Sequence, residues 1–173
     1  MPDNYFLALL PPADCLNDIF FAQKQVHGGK LMNAPRLHIT MYLLHPEMPD
    51  LAATLERLQR LMSAASLPAA RVVFEQVVGK PGIGLLLGGE KMRPVFHLRE
   101  LLVNLLEPQG IPQWPSYSFN PHMTLMRGKV ESYHGFIDPI SWDAQEIALV
   151  HSFVGQGRYE VMATWPLVRE KVK

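Results

Sequence analysis

Phe119-Asn-Pro-His-Met-Thr-Leu-Met-Arg127 and, eighty-four residues earlier, Arg36-Leu-His-Ile-Thr-Met-Tyr-Leu-Leu44 carry the same polar pattern, His-x-Thr, inside stretches that otherwise read as buried strands. Side chains alternate along a strand with period two. His38 and Thr40 therefore share one face and Leu37, Ile39 and Met41 the other, and His122 and Thr124 stand opposite Met123 and Leu125 in the same way. The chain has seven histidines and four threonines, so one His-x-Thr is expected by chance only about 0.16 times. A single copy reads most simply as the outer face of a half-buried strand. Two copies in matching surroundings favour a shared site.

The elements on either side of the motifs repeat in order. Tyr5 to Leu10 is a short apolar run stopped by Pro11-Pro12, and a helix follows, capped by Asp14, with Leu16, Ile19, Phe20 and Gln23 at helical spacing and Gly28-Gly29 as its stop. The first motif strand spans Leu37 to Leu44. Asp50 caps a second helix with the stripe Leu51, Leu55, Leu58 and Met62, and Ala70 to Val78 reads as a strand. After a turn at 79–82, the run Ile83-Gly-Leu-Leu-Leu87 opens a second pass: strand, helix on Val95, Leu98, Leu102 and Leu105, then the His122 strand. Two closing strands, Glu146 to Phe153 and Arg158 to Trp165, meet at a Gly155-Gln156-Gly157 hairpin turn. The pattern predicts an α+β fold: duplicated strand-helix-strand units, mainly antiparallel sheets, and two lobes around a central groove. All 173 residues then form a single two-lobed domain.

Sixteen basic and sixteen acidic side chains cancel, so no global field gathers a long polyanion or an anionic membrane. The lone Cys15 excludes an internal disulfide and argues for a reducing compartment. The opening MPDNYFLALLPPADC has no basic leader before a long apolar run, and no later run approaches about eighteen apolar residues. The expectation is a cytoplasmic monomer with no membrane contact. His27, His45, His97, His134 and His151 have no metal-ligand spacing, and no Gly-x-Ser-x-Gly elbow or Walker loop occurs.

If a two-fold relation brings both motifs to one groove, two imidazoles and two hydroxyls surround a common centre. One imidazole can stay neutral as base while its partner is protonated as acid, and the hydroxyls of Thr40 and Thr124 suit the non-bridging oxygens of a phosphate. That set needs neither metal nor cofactor.

RLHITMYLL and FNPHMTLMR resemble the paired signatures of the two-histidine phosphoesterase superfamily, in particular the RNA 2',3'-cyclic phosphodiesterases first described as 2'-5' RNA ligases. The likeness extends to the opening YFLALLPP and the closing SFVGQGRYEVMATWPL. The first motif departs from the family pattern, with Arg36-Leu37 where Asn-Leu is common and Tyr42-Leu43-Leu44 where Phe-Leu-Gly is common. The resemblance implies metal-independent opening of a terminal 2',3'-cyclic phosphate to a 2'-phosphate, with 2'-5' ligation as a possible reverse reaction. It places the proton donor on His38, the proton acceptor on His122 and phosphate ligands on Thr40 and Thr124.

Arg127 is a further candidate for contacting phosphate, although five residues after His122 a regular strand would turn it away. Arg36 and Tyr42 have the parity of His38 and can line the groove, Tyr42 offering a face on which a base stacks, and Arg158 can reach the groove from a neighbouring strand. Trp114, Tyr117 and Phe119 lie in the proline-rich loop before the second motif, as nucleotide contacts or as a cap on the core. The expected partners are RNA ends or small cyclic-phosphate nucleotides. Two further readings use the same residues: a phosphodiesterase for a cyclic nucleotide or cyclic ADP-ribose derivative, and a non-catalytic RNA-end binding module.

Overall fold

Nine strands and three α-helices make up the described part of the chain, residues 3–169 of a computed structural model. In chain order they are β1 (Asn4–Leu9), α1 (Leu16–Gln23), β2 (Gly29–Leu31), β3 (Ile39–Leu43), α2 (Leu51–Ala64), β4 (Ala70–Lys80), β5 (Gly82–Leu87), α3 (Arg93–Leu106), β6 (His122–Gly128), β7 (Tyr133–Ala144), β8 (Glu146–Phe153) and β9 (Arg158–Pro166). Asp50 caps α2 as its sequence predicts, its carboxylate accepting from the Ala53 N–H at 3.1 Å. Asp14 does not cap α1. A 3₁₀ turn over Ala13–Cys15 leads into that helix, and its N-cap, Cys15, makes no side-chain cap bond.

The strands form two antiparallel sheets, ordered β3-β1-β8-β9 and β2-β6-β5-β4-β7. Without the short β2, the orders match strand for strand: β3 with β6, β1 with β5, β8 with β4, β9 with β7. The likeness reaches single residues. Opposite β1, the register of β3 jumps from Tyr42 to Thr40, which makes Met41 an extra residue. Opposite β5, the register of β6 jumps from Met126 to Thr124, which makes Leu125 an extra residue. Each bulge lies three positions after its histidine, and each resets the inward-outward alternation that follows.

One continuous apolar core joins the sheets to the helices. It takes Leu7, Leu9, Ile39 and Leu149 from the first sheet, Phe74, Val77, Leu86 and Met123 from the second, and Ile19, Leu58, Leu98 and Leu102 from α1, α2 and α3. A smaller cluster of Phe6, Ala8, Ala148 and Val150, with Leu43 and Tyr159 against it, covers the opposite face of the first sheet. That face carries Thr40, whose register partner is Ala8.

Arg99 on α3 ties these parts together. It is buried, it donates to the Met41 carbonyl at 2.7 Å and to the Gln113 side chain, and its guanidinium lies over the rings of Tyr42, Tyr117 and Phe119 at 5.3, 5.7 and 5.1 Å. One cation thus holds both the bulge of the His38 strand and the loop that delivers His122. Arg99→Met keeps an apolar stem but strands the Met41 carbonyl. It is expected to cost about 1–3 kcal/mol in urea unfolding, and an unchanged midpoint would contradict the tie.

Candidate active site

The two motifs use their histidines in the same way. His38 immediately precedes β3 and His122 begins β6. The Nδ1–H of His38 donates to the Arg36 carbonyl at 2.8 Å, and the Nδ1–H of His122 to the Asn120 carbonyl at 2.8 Å, each two residues upstream. A carbonyl only accepts, so in both neutral rings the proton sits on Nδ1 and Nε2 keeps its lone pair. In His38 that lone pair accepts from the Thr40 hydroxyl at 3.0 Å. Thr124 is 7% exposed, and its hydroxyl has no hydrogen bond among the described residues.

The surroundings of the rings differ. His38 stacks on Phe6, with centroids 4.7 Å apart, and meets the ring of Tyr159 edge-on at 5.3 Å. Burial pushes its pKa down to about 4; the bond to Arg36 opposes this, and the charges of His122, Arg127 and Arg36 add to it. β3 and β6 lie against each other where the two sheets meet, and the charges of His122 and Arg127, from the second sheet, bear on His38 from the first.

The bulges decide which other candidates face this centre. Met41 and Tyr42 both point into the core, and Leu43 returns to the face of His38. Tyr42 is therefore no platform for a base: it is fully buried, its Oη donates to the Ile111 carbonyl, and Arg99 covers its ring. The equivalent bulge acts the other way on β6. Leu125 and Met126 both enter the core, and Arg127 turns onto the face of His122. The strand-parity objection to Arg127 thus falls away, and its charge reaches His38.

Arg36 ends a 3₁₀ turn over Ala34–Arg36, with its guanidinium 4.9 Å from the centroid of the Tyr159 ring and its Nε buried without a partner among the described residues. Arg158 points away from the groove. It pairs in register with Phe153 and lies 3.7 Å over that ring, on the opposite face from Tyr159. The residue of that hairpin which does reach His38 is Tyr159, its immediate neighbour. Neither Tyr159 nor Phe6 stands out in the sequence. The available signal was the alternation of Tyr159 and Val161 against Arg158 and Glu160. Tyr117 and Phe119 pack around Arg99, and Trp114 is 36% exposed at the loop surface. Among the described residues no group of three or more His, Cys, Asp or Glu side chains converges as a metal site, and no helix is long and apolar enough to cross a membrane.

Comparison with known proteins agrees with this architecture. The family model of the 2'-5' RNA ligase superfamily matches residues 11–152. Among solved structures, E. coli LigT in complex with 3'-AMP superposes with a TM-score of 0.77 at 22% identity, covering 96% of this chain and 99% of that one. A crystal structure described as a phosphoesterase gives 0.77 at 23% identity over 96% and 99%. A protein of Thermus thermophilus gives 0.70 at 23% identity over 97% and 100%. At these identities the structural likeness speaks for the fold. No curated protein sequence matches at a significant level.

Proposed function

Because the chain belongs to the 2'-5' RNA ligase superfamily, we propose that it hydrolyses the 2',3'-cyclic phosphate at an RNA end to a 2'-phosphate, with His38 as proton donor and His122 as proton acceptor. The observation that carries this reading is the matched pair. Two Nε2 atoms are freed by the same Nδ1 bond, on equivalent strands of two sheets, within electrostatic reach of each other. That E. coli LigT, a protein of the same fold, forms a complex with 3'-AMP supports a nucleotide as the ligand. The continuous core supports one two-lobed domain rather than two independent ones.

The phosphate enters between Thr40 and Thr124, with Arg127 and Arg36 supplying positive charge. Its negative charge counters the burial, and the neighbouring positive charges, that hold His38 neutral, so the proton on Nε2 becomes tolerable. The Thr40 hydroxyl, now accepting from His38 Nε2–H, is free to donate to the phosphate. His122 Nε2 takes a proton from water as its oxygen attacks phosphorus. The bond from phosphorus to O3' breaks opposite the attack, and His38 delivers its proton to O3'. One water is consumed, the 2'-phosphate remains, and solvent exchange returns the proton to the pair. No step asks for a metal.

The pair must hold one proton in total. kcat/KM is therefore expected to rise as pH increases through about 4, where His38 loses its proton, and to fall at higher pH as the last proton leaves. Tyr159→Ala, by opening the wall beside His38, should move the acid limb upward towards the ordinary histidine value. An acid limb already at that value in the wild type would contradict the burial argument.

The reaction itself is tested with an oligoribonucleotide ending in 2',3'-cyclic phosphate, incubated with chelator and analysed for 2'- against 3'-phosphate ends. A 2'-phosphate product formed at the same rate with and without chelator is the expected result. A 3'-phosphate product, or chelator-sensitive turnover, overturns the assignment.

A further inference from the structure

The two walls of the groove are unequal. On the first sheet, Phe6, Val150, Leu43 and Tyr159 pack on one another beside His38. On the second, the face carrying His122 runs across four strands and opens towards β7, where His134 and Phe136 are exposed. Register pairs place His122, Leu87, Gln76 and Phe136 in one row from β6 to β7, and Thr124, Leu85, Val78 and His134 in the next. At the usual inter-strand spacing, Phe136 stands about 14 Å from His122. Its ring is 77% exposed, His134 lies beside it at 5.5 Å, and the His134 ring bonds Gln76 at 2.9 Å. A large aromatic left this exposed on a sheet face is a surface available to a ligand.

A third row runs through Lys30, Arg127, Ile83 and Lys80, on β2, β6, β5 and β4. The bulge at Leu125 gives Arg127 the face of His122, and register gives the same face to its neighbours. Three cations thus line one edge of this face in a chain whose net charge is zero, and none of the three rows contains an acid. A cationic line beside a sheet face that ends in an exposed aromatic pair is the chemistry that holds a single strand: phosphates along the first, a base against the second.

We propose that this face of the five-stranded sheet is a track for single-stranded RNA, with Lys30, Arg127 and Lys80 following the backbone and Phe136 with His134 stacking a base upstream of the reacting end. The track rests on the reading of the histidine pair as an RNA-end site, because continuity with that site is what makes its occupant the strand that leads into it. It makes a polynucleotide, rather than a free cyclic mononucleotide, the better substrate.

The test compares a 2',3'-cyclic mononucleotide with an oligoribonucleotide ending in the same group and long enough to cover Phe136. Phe136→Ala is expected to lower kcat/KM on the oligonucleotide by about 5- to 150-fold, and to leave the mononucleotide unchanged. Lys80→Ala should reduce the slope of log affinity against log salt by about 0.7 from a wild-type value near −2. An equal loss on both substrates, or no loss on the oligonucleotide, overturns the track. Fluorescence anisotropy of a labelled single-stranded oligoribonucleotide separates the two readings. Should the wild type turn over neither substrate, tight binding weakened by Phe136→Ala and Lys80→Ala still supports the track, and binding indifferent to both substitutions overturns it.

Discussion

Replacing His122 with Ala is expected to lower kcat for opening a 2',3'-cyclic phosphate by about 10²- to 10⁴-fold, and His38→Ala by a similar factor. The two losses should not multiply. A base without its acid, or an acid without its base, leaves the same half-equipped site, so the double variant should fall little below either single one. His122 is half-buried at the start of its strand and its ring bonds the Asn120 carbonyl, so its loss should shift the unfolding midpoint little. His38 is packed between Phe6 and Tyr159, and His38→Gln, which retains a polar planar group, separates lost chemistry from a lost packing partner. A His122→Ala protein as fast as wild type would remove the base from the scheme.

The threonines carry the second large effect. Thr124→Val replaces the hydroxyl of a largely buried side chain by a methyl of nearly the same size and is expected to reduce kcat by about 10²- to 10³-fold if that hydroxyl donates to charge developing on the phosphate. Thr40→Val should lose a comparable factor and do one thing more. In the free protein the Thr40 hydroxyl donates to His38 Nε2 and so favours the neutral ring. Its removal should move the acid limb of kcat/KM upward, whereas Thr124→Val should leave that limb where it is. Steady-state profiles of the two variants check both the size and the asymmetry; matching limbs would place the Thr40 bond outside the protonation balance.

Much of this site is legible in the chain because strand alternation is a local rule. His38, Thr40, His122 and Thr124 lie close enough together that period two alone gives each pair a common face. The rule fails at Met41 and Leu125. A bulge is set by the register of a strand with its neighbour, which no local pattern records, and it moved Tyr42 into the core while bringing Arg127 into the groove. Arg158 fails for a related reason: which face of the β8-β9 hairpin meets β1 depends on pairing across the sheet, and it is Tyr159 that lies inward.

The fold shows the same division. The helices α2 and α3 fall where their stripes predict and β8 spans Glu146–Phe153 to the residue, whereas α1 ends at Gln23, short of Gly28, and leaves Phe20 at the surface. β7 gives little sign of itself. Gly135, Asp138 and Pro139 interrupt its pattern; Gly135 keeps its register with Val77, while Asp138 and Pro139 fall in a bulge where residues 137–139 oppose Glu75 alone between β4 and β7. β2 is three residues long and owes its existence to the edge of β6. The duplicated order of elements is readable in the sequence. The strand-for-strand match of the two sheets, and the matching bulges that follow each histidine, required the pairing itself.

The central claim is that two histidines from two halves of the chain grip one phosphate. It is tested most directly by titrating the protein with 2'-AMP while following the ring resonances of His38 and His122 by NMR. Both rings should respond with a single Kd, and the titration midpoint of His38 should rise from about 4 as the bound phosphate offsets its neighbours. A response from one histidine alone, or two rings reporting different affinities, would show that the pair does not share a ligand.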